Sequence, residues 1–577
     1  MIYGQNLRYL RTGWLIIAAA TCLRLLYAGS FAVVPDEAYY WQWSRYLALG
    51  YHDHPPMIAW LIYLSTTLFG HHEMAVRLPS VLCLATASVY MFLLAHRWFG
   101  ARSAMLTVIL TQSILAFNAG AIIATPDSPL MAAWAGAIYH IARAYEDGTW
   151  YQWILGGIWF GLGMLSKYTM AILAPLAFLV GLLHATPRKQ LVRIWPYTGF
   201  LLGCLMFLPV ILWNIDNGWN TFRHTAYQGG VDQNTGLHLI YLLEFIGSQA
   251  GLLSPLVFLL LLCVWFQAFS LPLSQRPWIR LYLFMTSFPV VAVFALLSLH
   301  TRVEGNWPGP AYLSAAVWIS AYIVRVTDTR KKRKIGRFSK KLWPWAVGLS
   351  YLLTGVVLLH VLWPVVPVSV KLDRIAKETL GWKVLARQVS ELHQTMPNPK
   401  KTFIFSQSYQ TASELAFYIP GNPRTVSINR WRRPNTYEYW WQDADLLGQD
   451  AVGVCSTRRR NTNRLEEIFD LVMPPERIEI HRSSVFAMDR SEEPPVAVYY
   501  IYRAFGFKGG IQWIPPDATD IRRDRSGPGK QKVQKEQPNE NAHRHTHIQR
   551  ISEYRKNDPI DICCYVRSCR APHFGGG

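Results

Sequence analysis

Apolar runs recur through the first two thirds of this chain, and about 20 apolar residues are what a helix needs to cross a bilayer. They fall at Thr12–Val34, Leu78–Ala95, Ala104–Ala124, Pro129–Tyr145, Tyr151–Ser166, Met170–His184, Pro196–Trp213, Ala250–Phe269, Leu281–Leu299, Pro310–Val324 and Leu342–Val365. The pattern predicts a polytopic α-helical membrane protein with about 11 transmembrane helices. Of 577 residues, 51% are hydrophobic and only 16% charged, less charge than a soluble chain of this size carries. A mean hydropathy of +0.12 is nevertheless too low for a wholly embedded protein, so an apolar part, 1–366, precedes a polar one. The first run is too long for a secretory signal peptide and lacks a convincing cleavage site, so it is expected to remain as a span.

Basic residues set the expected orientation. Arg8 and Arg11 precede the first run, and Arg97, Arg102, Arg188, Lys189, Arg193, Arg276 and Arg280 follow later ones. A block from Arg325 to Lys341, centred on Arg330-Lys331-Lys332-Arg333-Lys334, follows the tenth run. If the spans alternate, all of these share one face, which the positive-inside rule makes cytoplasmic, together with the amino terminus. The loops Asp36–Pro56, Thr125–Asp127, Ser166-Lys167, Asn214–Gln249 and Glu304–Pro308 then share the outer face with everything after the last span. Part of the formal charge of +21 sits in the Arg325–Lys341 block and in the tail, neither of which shows a folded reading motif, so nucleic acid is not an expected partner.

Beyond Pro367 the pattern becomes mixed. Leu372–Gln394 has helical periodicity, Thr402–Phe405 reads as a strand and Thr411–Tyr418 as a short helix. Thr425–Ile428, Ala451–Cys455 and Val496–Tyr502 read as further strands, with Asn463–Leu471 a helix. The expectation is an outer-face α/β domain over 367–516, then a basic disordered tail over 517–577, which has too few apolar residues to order itself. Cys22, Cys83, Cys204 and Cys263 lie in apolar runs as small hydrophobes, and Cys455 stands alone. Cys563, Cys564, Cys569 and His573 match no strong zinc template.

Chemistry concentrates just after the first run, in Val34-Pro35-Asp36-Glu37-Ala38-Tyr39-Tyr40 and Tyr51-His52-Asp53-His54-Pro55-Pro56. Ionisable groups this close to hydrocarbon are costly unless paired, hydrated or used, which makes them candidates for a site. No GxGxxG after a strand, P-loop, HExxH or GxSxG is present, so the commonest nucleotide-dependent and hydrolytic classes are not signalled. Plainer roles exist for single residues. Asp36 and Asp127 could cap helices, Lys167 could snorkel to the interface, and Trp213, Trp219, Phe222 and Tyr227 could form an interfacial aromatic belt. Arg24, inside the first run, needs a partner.

Taken together, Asp36-Glu37-Ala38-Tyr39-Tyr40, Tyr51-His52-Asp53-His54-Pro55-Pro56, Thr125-Pro126-Asp127-Ser128-Pro129 and Gly161–Lys167 resemble the GT-C glycosyltransferases. Asn306-Trp307-Pro308 and the Tyr409–Tyr418 stretch add to the likeness, which covers about 1–515. More narrowly the chain resembles the bacterial branch related to protein O-mannosyltransferases and to the aminoarabinose transferase that modifies lipid A. The resemblance implies a multi-pass protein of the bacterial inner membrane that moves a sugar from a polyprenyl-phosphate donor to a lipid, glycan or protein acceptor. It implies that Asp36 acts as base or orients the acceptor, that Glu37 completes the pair and that Asp127 is a second outer-face acid. His54 stands where the aminoarabinose transferase has a lysine near the donor phosphate, and a neutral imidazole is a weaker anion partner than an ammonium. Asp53 stands where that enzyme has a glutamate near a bound metal, making a divalent ion a possible cofactor, and Lys167 matches a family lysine. A leaving phosphate needs a cradle of donors, which Lys167, Arg45 and His54 could supply, and the acceptor hydroxyl needs a carboxylate. A transporter or lipid flippase is the alternative, and a non-catalytic assembly protein a second one.

Overall fold

The computed structural model describes residues 2–231, 236–269, 277–328, 334–428, 434–456, 462–482 and 494–510. Arg276, Arg330, Lys331, Lys332, Arg333 and the whole tail 517–577, with its cysteines and His573, lie outside these residues. The described residues belong to one compact unit.

The first helices are α1 (Ile2–Ala28), α2 (Pro35–Arg45), α3 (Met57–Phe69), α4 (Glu73–Phe99), α5 (Ala101–Ser113), α6 (Leu115–Ile122), α7 (Asp127–Asp147) and α8 (Trp150–Met164). Local chemistry explains their ends. Pro35 opens α2, where its missing N–H is no loss; Asp36 and Glu37 fill the first turn and Arg45 the last, each complementing the helix dipole. The α5–α6 pair bends by 71° at Ile114. There the Asn118 amide donates to the Gln112 and Ile114 carbonyls, and Arg24 Nη2 donates to Asn118 Oδ1 at 2.8 Å. Asn118 is thus the partner that Arg24 requires.

Each expected apolar run falls largely on helix, but not each makes a span by itself. Among the described residues, five helices are long and apolar enough to cross a membrane, and up to eight if each bent pair counts as one. The helices α7 and Ala311–Asp328 are mostly buried within the bundle and need not be apolar all round. Where α8 crosses Trp195–Met206 the backbones nearly touch, and a Cβ on Gly157 would stand 2.0 Å from the Gly199 carbonyl oxygen. Small residues at such crossings are how membrane helices approach closely.

Among the described residues the later part folds around six strands, β1 (Thr402–Ser406), β2 (Thr425–Ser427), β3 (Asp450–Ser456), β4 (Phe469–Val472), β5 (Glu476–Ile480) and β6 (Ala497–Phe507). Their order is β2-β1-β3-β6-β4, with β5 also on β6. β1 is parallel to β2 and β3, while β6 is antiparallel to β3, β4 and β5. Phe405 faces Gly453 in register, and Phe403, Phe405, Phe469, Tyr502 and Phe507 fill the core.

Two expectations are corrected here. The helix expected over Asn463–Leu471 stops at Glu466, and Phe469–Val472 is strand, because Phe469 stacks on Phe405 and Leu471 pairs with Phe505. The helix expected over Leu372–Gln394 is two, Arg374–Thr379 and Trp382–Gln394, separated at Gly381 with φ +86°.

Candidate active site

The first turn of α2 is fastened by a buried ion pair. Arg77 Nε and Nη2 both donate to the Glu37 carboxylate, the shortest contact being 2.6 Å, and neither side chain is exposed. The rest of the guanidinium donates to the carbonyls of Ala28, Phe31 and Ala32. Glu37 accepts from the backbone N–H of Val34 at 2.9 Å and of Ala124 at 2.8 Å. One carboxylate therefore ties together the end of α1, the loop 29–34, α2, α4 and the approach to α7. Removing one partner of such a pair would cost about 3–5 kcal/mol.

With α2 held, several loops converge. Lys167, between α8 and the turn beginning at Tyr168, donates to Asp127 Oδ1 at 2.7 Å, and Asn306 Nδ2 donates to Asp127 Oδ2 at 2.7 Å. The Lys167 side chain is only 10% exposed, so it does not snorkel. Asp127 is the first residue of α7 and makes no cap bond. Asp36 is exposed and accepts from Gln410 Nε2 at 3.0 Å, while Val34, not Asp36, is the N-cap of α2. Asp53 is buried, accepts from Tyr39 Oη at 2.8 Å and faces His224 Nε2 at 3.6 Å. Tyr39 Oη in turn accepts from the Thr436 N–H at 2.8 Å. Gln410 and Thr436 both come from the sheet domain, which roofs the cluster.

Electrostatics binds these groups into one site. Burial pushes the Tyr40 phenol well above its usual range, and Asp36, Asp53, Tyr409 and Asp127 add to the push. Burial and then Lys167 bring His54 down to about 4, against the opposing pull of Asp53 and Asp127, so its imidazole is neutral at physiological pH. Glu414, on the helix Tyr409–Tyr418, is buried with neither carboxyl oxygen hydrogen-bonded. Burial, and then Glu37, raise it well above the usual carboxylate value, with Asp36 adding to the push.

Of the residues singled out in the sequence, Asp36, Asp53, His54, Asp127 and Lys167 are brought together. Glu37 is beside them but wholly engaged by Arg77 and backbone. Arg45 is not gathered in. It lies at the other end of α2, about 13 Å along the axis from Asp36 at 1.5 Å per residue, and donates to the Asn422 carbonyl at 2.7 Å and to Pro423. Its guanidinium fastens the sheet domain. Among the described residues no three His, Cys, Asp or Glu side chains are placed to hold a metal ion, and Asp53 is bonded to Tyr39 instead. Trp213 packs on Tyr439 at 5.4 Å between ring centroids, so this belt aromatic also touches the roof. Sequence reasoning passed over Tyr39, Tyr40, His224, Asn306, Gln410 and Glu414 as site residues. Asn306 and Gln410 lie inside stretches that carry the family likeness, which was the available signal.

Residues 53–213 match the family described as dolichyl-phosphate-mannose-protein mannosyltransferase. The chain is 26% identical over 402 residues to the lipid A galacturonosyltransferase RgtD of Rhizobium johnstonii, covering 66% of this chain and 78% of that one. It is 27% identical over 199 residues to the undecaprenyl phosphate-alpha-4-amino-4-deoxy-L-arabinose arabinosyl transferase 1 of Pseudomonas fluorescens, covering 30% of this chain and 35% of that one. In three dimensions it is similar to ArnT from Cupriavidus metallidurans, with a TM-score of 0.57 in the apo state and 0.54 with undecaprenyl phosphate bound. Those matches, at 15% and 16% identity, cover 85% of this chain and 98% of ArnT. The chain is thus similar in sequence to glycosyltransferases named for lipid A and for undecaprenyl phosphate-linked aminoarabinose, and it shares the fold of ArnT.

Proposed function

We propose that this chain transfers a sugar from a polyprenyl-phosphate carrier to a lipid, glycan or protein acceptor, at the end of its helices that bears the sheet domain. The observation that carries the reading is the position of Lys167. Its ammonium is paired with Asp127, and an apolar cavity of about 380 Å³ lies between α3, α4, α7 and α8. That cavity is lined by residues such as Met57, Leu61, Leu78, Leu82 and Leu162, and by Ser166, next to Lys167 in the chain, and Pro129, two residues after Asp127. A lipid phosphate presents the two halves such a place suits, an alkyl chain for the groove and an anion for the cation above it.

An ammonium has three donors, and Asp127 takes one, leaving Lys167 able to hold a leaving phosphate. Neutral His54 adds an N–H rather than a charge. Asp36, the exposed acid, takes the proton of the acceptor hydroxyl as that oxygen attacks the anomeric carbon and the carrier phosphate departs. Asp127 and Asn306 orient Lys167, and Asp53 with Tyr39 holds the 51–56 loop against the roof. Glu37 holds α2 in place. In this reading 1–366 is the transmembrane part, 367–516 the periplasmic domain and 517–577 a separate basic tail, in an inner-membrane protein whose amino terminus is cytoplasmic.

Reconstituted protein supplied with a labelled polyprenyl-phosphate sugar tests the proposal. Transfer predicts loss of labelled donor in proportion to acceptor, with free polyprenyl phosphate as co-product. Donor that crosses the bilayer unchanged would sink it in favour of a flippase.

A further inference from the structure

The helix Tyr409–Tyr418 of the roof meets the first helices along one stripe. Gln410, Glu414 and Tyr418 follow one another at helical i, i+4 spacing, which sets them one above the next on a single face. Both ends of the stripe are tied. Gln410 Nε2 donates to Asp36 Oδ1 at 3.0 Å, while Tyr418 Oη accepts from the Val33 N–H at 2.8 Å and donates to Glu73 Oε1 at 3.3 Å. The middle is not tied. Glu414 is 1% exposed, and neither of its carboxyl oxygens has a hydrogen-bond partner among the described residues. A buried polar group left unpaired is costly, and more so when charged, so its presence asks for a reason.

The charges around Glu414 are committed elsewhere. On α4, Arg77 gives its five N–H groups to Glu37 and to the carbonyls of Ala28, Phe31 and Ala32, which leaves no donor over. On α2 stand Glu37 itself and Asp36, both acids. The helix Trp382–Gln394 sends Lys383 to Glu73 at 2.9 Å, leaves Arg387 and Glu391 exposed, and sets His393 against the Thr402 carbonyl. Strands β1 and β2 carry no ionisable side chain, and the Tyr437 hydroxyl meets Ser413, on the turn before. Burial, then Glu37, hold the Glu414 carboxyl well above its usual 4.5 against the pull of Arg77, with Asp36 and Glu73 adding to the push.

We infer that Glu414, as the uncharged acid, is a positioning residue that seats the helix Tyr409–Tyr418 against the Glu37–Arg77 pair and so keeps Gln410 on Asp36. An uncharged carboxyl lies against that saturated pair without penalty from its neighbours' charge. A carboxylate there would face Glu37 with no donor to offset it, and the helix would lift from its middle and take Gln410 away. The seam between roof and helices is closed only while it holds one proton. What this does to Asp36 as a base rests on the transfer reading; the seating itself does not.

Hydrogen exchange of the full chain, wild type against Glu414→Gln at each pH from about 5 to 8, tests the seating. When the helix lifts, Glu414 meets water and returns towards 4.5. Stability from such a raised group is complete below that value and is lost as pH rises through its folded value. Peptides from 409–418 and from 35–45 should therefore exchange faster in the wild type than in the variant, by a ratio that grows about tenfold per pH unit. Other titrating groups cancel, because both proteins carry them. A ratio that stays constant with pH would overturn the inference. So would a change confined to 409–418, which would be one helix fraying and not a seam opening. Glu414→Met is a second uncharged replacement with the same expectation, and failure of both variants to fold would also count against it. For the reaction, Glu414→Lys puts a lasting charge in the seam. Its kcat should stand about ten- to a hundredfold below that of Glu414→Gln, with an unchanged KM for a polyprenyl-phosphate sugar; equal kcat values would break the link to Asp36. Should the lysine variant not fold, the exchange ratio decides. A wild type that transfers no sugar would sink the transfer reading and leave the exchange arm to judge the seating alone.

Discussion

Asp36 is the exposed member of the acids gathered at the head of the helices, while Glu37 and Asp53 are buried and Asp127 has both oxygens engaged by Lys167 and Asn306. These surroundings separate what the same substitution does at two positions. Asp36→Asn keeps size and reach but removes basicity, so transfer should fall by about 10²–10⁴-fold with insertion and stability intact. Asp127→Asn leaves the mostly buried Lys167 ammonium without its counter-charge and should lose up to about 3–5 kcal/mol of stability, read as a drop in Tm. A near-normal rate for Asp36→Asn in a donor-release assay would remove the base from the mechanism. His54 supplies a pH test. Its folded-state value of about 4 lies below the usual 6.5, so the unfolded chain takes up this proton first as pH falls. The stability it contributes is fully present above about 6.5 and is lost between there and about 4. The acid limb of Tm against pH should therefore be shallower in His54→Gln, and identical limbs would show that the imidazole is not held neutral. The charged members of the site were legible in the sequence because charge beside hydrocarbon needs a reason. Gln410, Asn306 and Tyr39 were not, since an uncharged side chain shows its role only through a partner, and Asp36 and Gln410 are 374 positions apart.

Among the elements, helices were read well and their interruptions poorly. Apolar runs announce α4, α7 and α8, whereas the 71° bend at Ile114 depends on Asn118 capturing freed carbonyls, a contact that no run of hydropathy displays. The strand Phe469–Val472 was taken for helix because a short apolar stretch fits either period and tertiary pairing with β6 decides. The missed β5 carries a period-two pattern in Glu476-Arg477-Ile478-Glu479-Ile480, with apolar residues at alternate positions. Glycine at the α8 crossing yields a direct test. A methyl at Gly157 has no room beside the Gly199 carbonyl, so Gly157→Ala should force the helices apart at about 1–3 kcal/mol. Thermal unfolding of the purified variant measures this, and an unshifted Tm would mean the crossing yields freely. Gly4, with nothing near its added Cβ, is the matched control and should tolerate alanine.

At the scale of the molecule, the apolar-then-mixed division of the chain was plain from composition, whereas the roofing of the acidic cluster by the sheet domain was not. The expected orientation remains to be measured by reporter fusions. Those after Lys332 should report cytoplasm and those after Val370 the periplasm; both on one side would mean that Lys334–Leu362 does not cross. The roof has a consequence for the birth of the enzyme. Asp36 meets Gln410 across 374 positions, and Tyr39 meets Thr436 across 397. At about 5–20 residues per second, a ribosome needs roughly 20–75 s between making the two sides of the first contact. Throughout that interval the acids stand at the membrane surface without the wall that confines them, so a nascent chain has its groove before it has a finished reaction chamber. Lipid carrier that reaches it early meets an open, hydrated half-site, and turnover begins only once the carboxyl-terminal part has folded down. Docking of that last part is then the step that switches each new molecule on.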